Sequence, residues 1–111
     1  AYDAVVSNSL LHHLHDPGVF WRGVCEAGKP GAAVLVMDLF RPASQAAARA
    51  IVEQYAAGEP EVLRQDFFAS LCAAFEPDEV RAQLRAHGLE ALSVRTVSDR
   101  HLLVTGRLPA R

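Results

Sequence analysis

The stretch Tyr2-Asp3-Ala4-Val5-Val6-Ser7-Asn8-Ser9-Leu10-Leu11-His12-His13-Leu14-His15-Asp16-Pro17 decides how this chain is read. It passes from a short apolar run into serines, an asparagine and histidines, as a buried strand does when it ends in a polar loop. In open α/β sheets, ligands bind beyond the carboxyl ends of the strands, where loops leave the sheet. Ser7, Asn8 and Ser9 are expected at that place.

The residues that follow extend the pattern. Asp16-Pro17 reads as an N-cap with proline at the first helical position, where its missing N–H costs nothing. Phe20, Val24 and Ala27 then share one helical face, and Gly28 with Pro30 predicts a left-handed stop near Ala27. Ala32-Ala33-Val34-Leu35-Val36-Met37, between Gly31 and Asp38, is a continuous apolar run of the kind found in parallel strands covered on both faces. Strand, helix and strand joined by a right-handed crossover would bring Ser7-Asn8 and Asp38-Phe40 to the same edge.

These residues resemble a family. Tyr-Asp-x-Val-x-Ser-Asn-x-Leu-x-His-His-Leu, then a helix, then Lys29-Pro30-Gly31 and a strand ending Met37-Asp38-Leu39-Phe40-Arg41-Pro42 are similar to the second half of a class I S-adenosylmethionine-dependent methyltransferase. Phe75-Glu76-Pro77-Asp78-Glu79-Val80 to Gly88-Leu89 resembles the next helix of that family, and Ser93 to Gly106 its final hairpin. The resemblance implies an α/β, Rossmann-like sheet built from the family's fourth, fifth, seventh and sixth strands, with helices and a terminal antiparallel hairpin. It also implies S-adenosyl-L-methionine as cofactor and a small molecule as methyl acceptor. The family's glycine-rich turn and ribose-holding acid have no counterpart among residues 1–111, whose glycines are scattered and form no G-x-G cluster. The expectation is therefore the carboxyl-terminal portion of a methyltransferase domain, with weak or undetectable cofactor affinity and doubtful activity on its own.

The middle of the chain predicts two helices. Ser44 can cap one running to Ala57, with Ala47, Ile51 and Tyr55 on one face, and Gly58-Glu59-Pro60 stops it. A second runs from Glu61 to Phe75, where Leu63, Phe67, Phe68, Leu71 and Phe75 form an apolar stripe. The resemblance places residues 43–75 where relatives carry a substrate-covering insertion. Leu63, Leu71 and Phe75 read as core, and Tyr55, Phe67 and Phe68 as candidates to line an apolar substrate pocket. Pro77 to His87 predicts a further helix, stopped by Gly88 and weakly capped by Glu76. Leu92, Val94 and Val97 suggest a strand, Leu102 to Thr105 its partner, and Ser98-Asp99-Arg100 the turn between them. In the resembling fold that turn brings Asp99, Arg100 and His101 near the pocket rim; a solvated turn aspartate is the simpler alternative.

Methyl transfer needs donor and nucleophile held in near-attack geometry, and an acceptor for the proton if the nucleophile carries one. Asn8 suits cofactor binding because its amide offers two donors and an acceptor, and by resemblance it matches a cofactor-contacting position. Ser7 and Ser9 are weaker cofactor candidates, since short hydroxyl side chains also satisfy local backbone. His12, His13 and His15 have the side chain that titrates near neutrality. His13 is the candidate base, with a brace for the loop as its alternative, and His12 a candidate substrate contact. Asp38 and Arg41 could orient a polar substrate, and Asp38 equally suits accepting backbone N–H groups.

Composition bounds the alternatives. A chain of 111 residues suits one domain that buries about two-thirds of its unfolded surface. Net charge is −2 and the basic residues are scattered, which argues against nucleic acid. No apolar run approaches the roughly 20 residues that cross a bilayer, and Cys25 and Cys72 read as reduced, buried thiols. A cytoplasmic protein is expected. His12-His13-x-His15-Asp16 also suggests a zinc metallohydrolase loop, although Pro17-Gly18 stand where a further ligand pair would be needed. A third possibility is a non-catalytic fragment that self-associates through the free edge of the first strand.

Overall fold

A computed structural model describes residues 1–110, apart from the side chain of His12. The chain is a small α/β domain with a four-stranded mixed sheet and four helices. The strands are β1 (Tyr2–Asn8), β2 (Gly28–Leu39), β3 (Ser93–Thr96) and β4 (His101–Arg107). Their order across the sheet is β1-β2-β4-β3. β1 runs parallel to β2, with Val5 opposite Val34 and Asn8 opposite Met37, while β4 is antiparallel to both β2 and β3.

Helix α1 (Pro17–Ala27) starts as expected, the Asp16 carboxylate accepting from the Gly18 N–H at 2.9 Å. Its end differs. Gly28 is extended, with φ −90° and ψ 145°, so β2 begins there and not at Ala32. The left-handed glycine is Gly31, with φ +79°, whose N–H donates to the Leu108 carbonyl. Gly28 serves close packing instead: a Cβ there would lie 2.4 Å from Leu108 Cδ1.

One sheet face carries the main core. Val34, Val36, Leu102, Val104 and Val94 pack beneath Phe20, Trp21 and Val24 of α1 and beneath Val80 and Leu84 of α4 (Pro77–Ala86). Trp21 is fully buried, stands edge-on to Phe20 at 4.8 Å between ring centroids, and donates from Nε1 to Gln83 Oε1 at 2.9 Å. This contact joins α1 to α4 over the sheet. The expectation that β2 is covered on both faces is not met. On the other face Leu35 is exposed and Val6 is 71% exposed, because both crossing helices lie on one side.

Helices α2 (Gln45–Ala56) and α3 (Glu61–Ala73) pack on each other and form a second, smaller core of Ala48, Ile51, Val52, Ala56 and Leu71. Ser44 caps α2 through the Ala47 N–H. α3 stops two residues short of the expected Phe75, since Phe75 pairs with Phe40 in a parallel bridge. Leu63, expected in the core, is exposed, while Leu71 is fully buried. The start of α4 is firmer than its sequence suggests, because Glu79 accepts from the Glu76 N–H at 2.8 Å in a capping box. β3 ends at Thr96 and leaves Val97 exposed. Cys25 and Cys72 are both half-buried. Among the described residues no helix is long and apolar enough to cross a membrane.

Candidate site at the carboxyl edge of the sheet

Parallel pairing brings the ends of β1 and β2 to one edge. Asn8 lies opposite Met37, and the Ser9 N–H donates to the Met37 carbonyl at 2.9 Å. Ser9 then takes φ +62°, a conformation uncommon outside glycine, which turns the chain off the sheet. Its Oγ donates to Asn8 Oδ1 at 2.9 Å. Asn8 and Ser9 are exposed at this rim, and Ser7 is half-buried.

The loop after Ser9 is held by Asp38. This carboxylate is 1% exposed and accepts from the Leu11 N–H at 2.8 Å and the Leu39 N–H at 2.9 Å. The bonds fasten the 3₁₀ turn Leu11–His13 to the end of β2. Asp38 is thus a buried brace and not the substrate contact offered by the sequence; a buried charge is retained where several donors satisfy it. The turn's last residue, His13, is exposed and lines an open cleft of about 380 Å³ with Asp66, Ala69, Ser70 and Ala73 of α3. The His12 side chain, a candidate substrate contact, lies outside the described residues.

The β3–β4 turn reaches the same edge. The Phe40 N–H donates to the Arg100 carbonyl at 3.0 Å, and Leu39 pairs with His101. Ser98 Oγ shapes the turn by accepting from the Arg100 and His101 N–H groups. Tyr55 of α2 comes down on it. Its Oη donates to Asp99 Oδ2 at 3.0 Å, and the Arg100 guanidinium lies 3.7 Å above its ring. Desolvation pushes the Asp99 carboxyl upward, but hydrogen bonds from Arg100 and Tyr55 and the Arg100 charge outweigh it and hold the group below its ordinary value.

Four further sequence candidates are engaged away from the cleft. Arg41 turns to the start of α4, with Nη2 2.9 Å from Glu79 and 3.2 Å from Glu76, so its charge is engaged there and not at the rim. Phe67 and Phe68 pack into the α2–α3 core, and Arg49 lies 4.5 Å over the Phe68 ring. Tyr55 is committed to Asp99 and Arg100. The structure therefore unites Ser7, Asn8, Ser9, His13 and Asp38 at one edge and leaves Arg41, Phe67 and Phe68 outside it. Asp66 and Ser70 were missed by sequence reasoning. Their i, i+4 spacing puts them on one helix face, but only the placement of α3 against the 3₁₀ turn makes that face a cleft wall.

Burial, then the adjacent Arg100, lowers the His101 pKa from its ordinary 6.5, with Asp99 and Asp38 opposing. A histidine depressed in the folded state binds fewer protons there than when unfolded. Its contribution is present above 6.5 and is lost as pH falls toward the lowered folded value. Urea midpoints are expected to drop over that window, and His101→Gln to flatten the slope.

No protein-family model matches the chain, and no curated protein matches it. Among the described residues, no group of three or more His, Cys, Asp or Glu side chains is disposed to hold a metal ion. The fold and edge define a small α/β domain whose polar loops collect at one end of a mixed sheet.

Proposed function

We propose that the chain is the carboxyl-terminal portion of a class I S-adenosylmethionine-dependent methyltransferase domain and takes part in methyl transfer to a small molecule in the cytoplasm. One observation carries the reading. β1 and β2 are parallel with their carboxyl ends together, and β4 runs reversed between β2 and β3, the order that the family's fourth, fifth, seventh and sixth strands would give.

The rim suits the polar parts of such a cofactor. With Oδ1 accepting from Ser9, the exposed Asn8 amide retains two N–H donors for a ligand. The bound cofactor would supply an electrophilic methyl group. This chain's residues would do the rest: Asn8 orients the donor, the Asp38-braced turn fixes His13, and His13 takes a proton from the acceptor across the cleft. Asp66 and Ser70 form the polar side of the acceptor's pocket.

Titration with millimolar S-adenosylhomocysteine, followed by amide NMR, is expected to shift Ser7–Leu11 and Asp38–Phe40. Asn8→Ala is expected to weaken that binding about tenfold, the equivalent of one to two hydrogen bonds. Shifts confined to other parts of the chain would overturn the reading. Stoichiometric zinc on the purified protein would instead favour the metallohydrolase.

A second reading, association with a second copy, is favoured by the unpaired edge of β1, which ends the sheet and carries no lysine or proline. Antiparallel pairing of two β1 strands about Val5 would set Asp3 against Ser7 and Tyr2 against Asn8, so no like charges meet. Size-exclusion elution is expected to move to earlier volumes as concentration rises. A monomer unchanged across that range would refute it.

A further inference from the structure

The α2–α3 pair has a core of its own and is joined to the rest of the chain by two short connections, residues 40–44 from β2 and 74–76 to α4. These lie side by side. Phe40 and Phe75 form a parallel bridge, the Arg41 N–H donates to the Phe75 carbonyl at 3.1 Å, and Arg41 Nη1 reaches the Ala74 carbonyl at 3.4 Å. A unit with its own packing on two adjacent connections can pivot there without disturbing the main core.

Leu39 of β2, next to the first connection, packs against the pair's core, and two contacts farther from the connections also hold the pair. α3 faces the 3₁₀ turn across the cleft lined by His13. Tyr55 of α2 closes a triangle with the β3–β4 turn: Oη to Asp99 at 3.0 Å, Arg100 Nη1 to Asp99 at 2.9 Å, and the guanidinium over the phenol ring. The turn is itself tied to the pivot, since the Arg100 carbonyl accepts from the Phe40 N–H. Tyr55 and Asp99 are exposed and Arg100 is half-buried, so the contact can open to water at modest cost.

We propose that α2–α3 is a lid over the carboxyl-edge cleft, hinged at the Phe40–Phe75 bridge and latched shut by Tyr55 on Asp99 and Arg100. The latch sets how often the cleft wall formed by Asp66 and Ser70 swings away from His13, and with it the access of any small molecule to that edge. The inference holds whichever ligand the edge takes.

Amide hydrogen exchange on the intact chain tests this. Tyr55→Phe removes the bond to Asp99 but keeps the ring under Arg100, so folding is not at risk. Exchange across 45–73 is expected to quicken together, about fivefold to tenfold, while β2, β4, α1 and α4 keep their rates. Asp99→Asn should act in the same direction. Unchanged exchange in α2–α3 would overturn the latch, and equal quickening in the sheet would overturn the lid as a separate unit.

Discussion

Replacing Asp38 by alanine is expected to lower stability by about 3 kcal/mol, since hydrogen bonds to a charged group contribute about 1.5–3 kcal/mol each and a buried donor is left unmatched. The affected donor is the N–H of Leu11, itself buried, and the Leu39 N–H loses its acceptor as well. Asp38→Asn keeps one carbonyl acceptor and should recover about half of the loss. Urea denaturation followed by circular dichroism measures both. The same variant should free the Ser9–Leu14 loop, seen as broadened amide resonances at His13, because the carboxylate ties that turn to β2. If alanine leaves the denaturation midpoint in place, Asp38 is not the brace described above and becomes available again as a ligand contact.

Trp21→Ala is the other large effect. Trp21 is the single tryptophan, fully buried, and it joins α1 to α4 through Gln83. Truncating a buried aromatic of this size costs about 3–5 kcal/mol. Against the roughly 5–15 kcal/mol that holds a typical domain together, this removes much of the margin. Trp21→Phe keeps most of the apolar volume and strands the Gln83 amide, so about 1–2 kcal/mol is expected. Circular dichroism in urea separates the two variants. A loss in Trp21→Phe as large as in Trp21→Ala would mean that the hydrogen bond, and not the packing, dominates.

Much of the architecture was legible locally. Asp16-Pro17, Ser44 and Gly88 mark helix ends through caps and backbone conformations that act within a few residues. The apolar run Ala32–Met37 announced a strand in the same way. Where reading failed, the deciding contact was distant in sequence. Gly28 is extended and pairs with Tyr2, with Leu108 packed where a Cβ would be, and α3 ends early because Phe75 pairs with Phe40. Leu63 has the periodicity of a core residue yet faces solvent, since α3 meets α2 and the 3₁₀ turn on other sides. The candidate site divides likewise. Ser7, Asn8, Ser9 and His13 follow from one strand and its loop, whereas Asp66 and Ser70 enter only with α3.

By itself, then, the chain's order of residues determined which segments are helix or strand and that a polar loop follows β1, because capping, turn chemistry and hydrophobic period are short-range. Only the tertiary structure decided that Asp38 braces, that Arg41 serves α4 and that Tyr55 grips the β3–β4 turn. A charged or aromatic side chain takes its role from whichever groups folding brings within a few ångströms, and those partners lie 27 to 44 residues away.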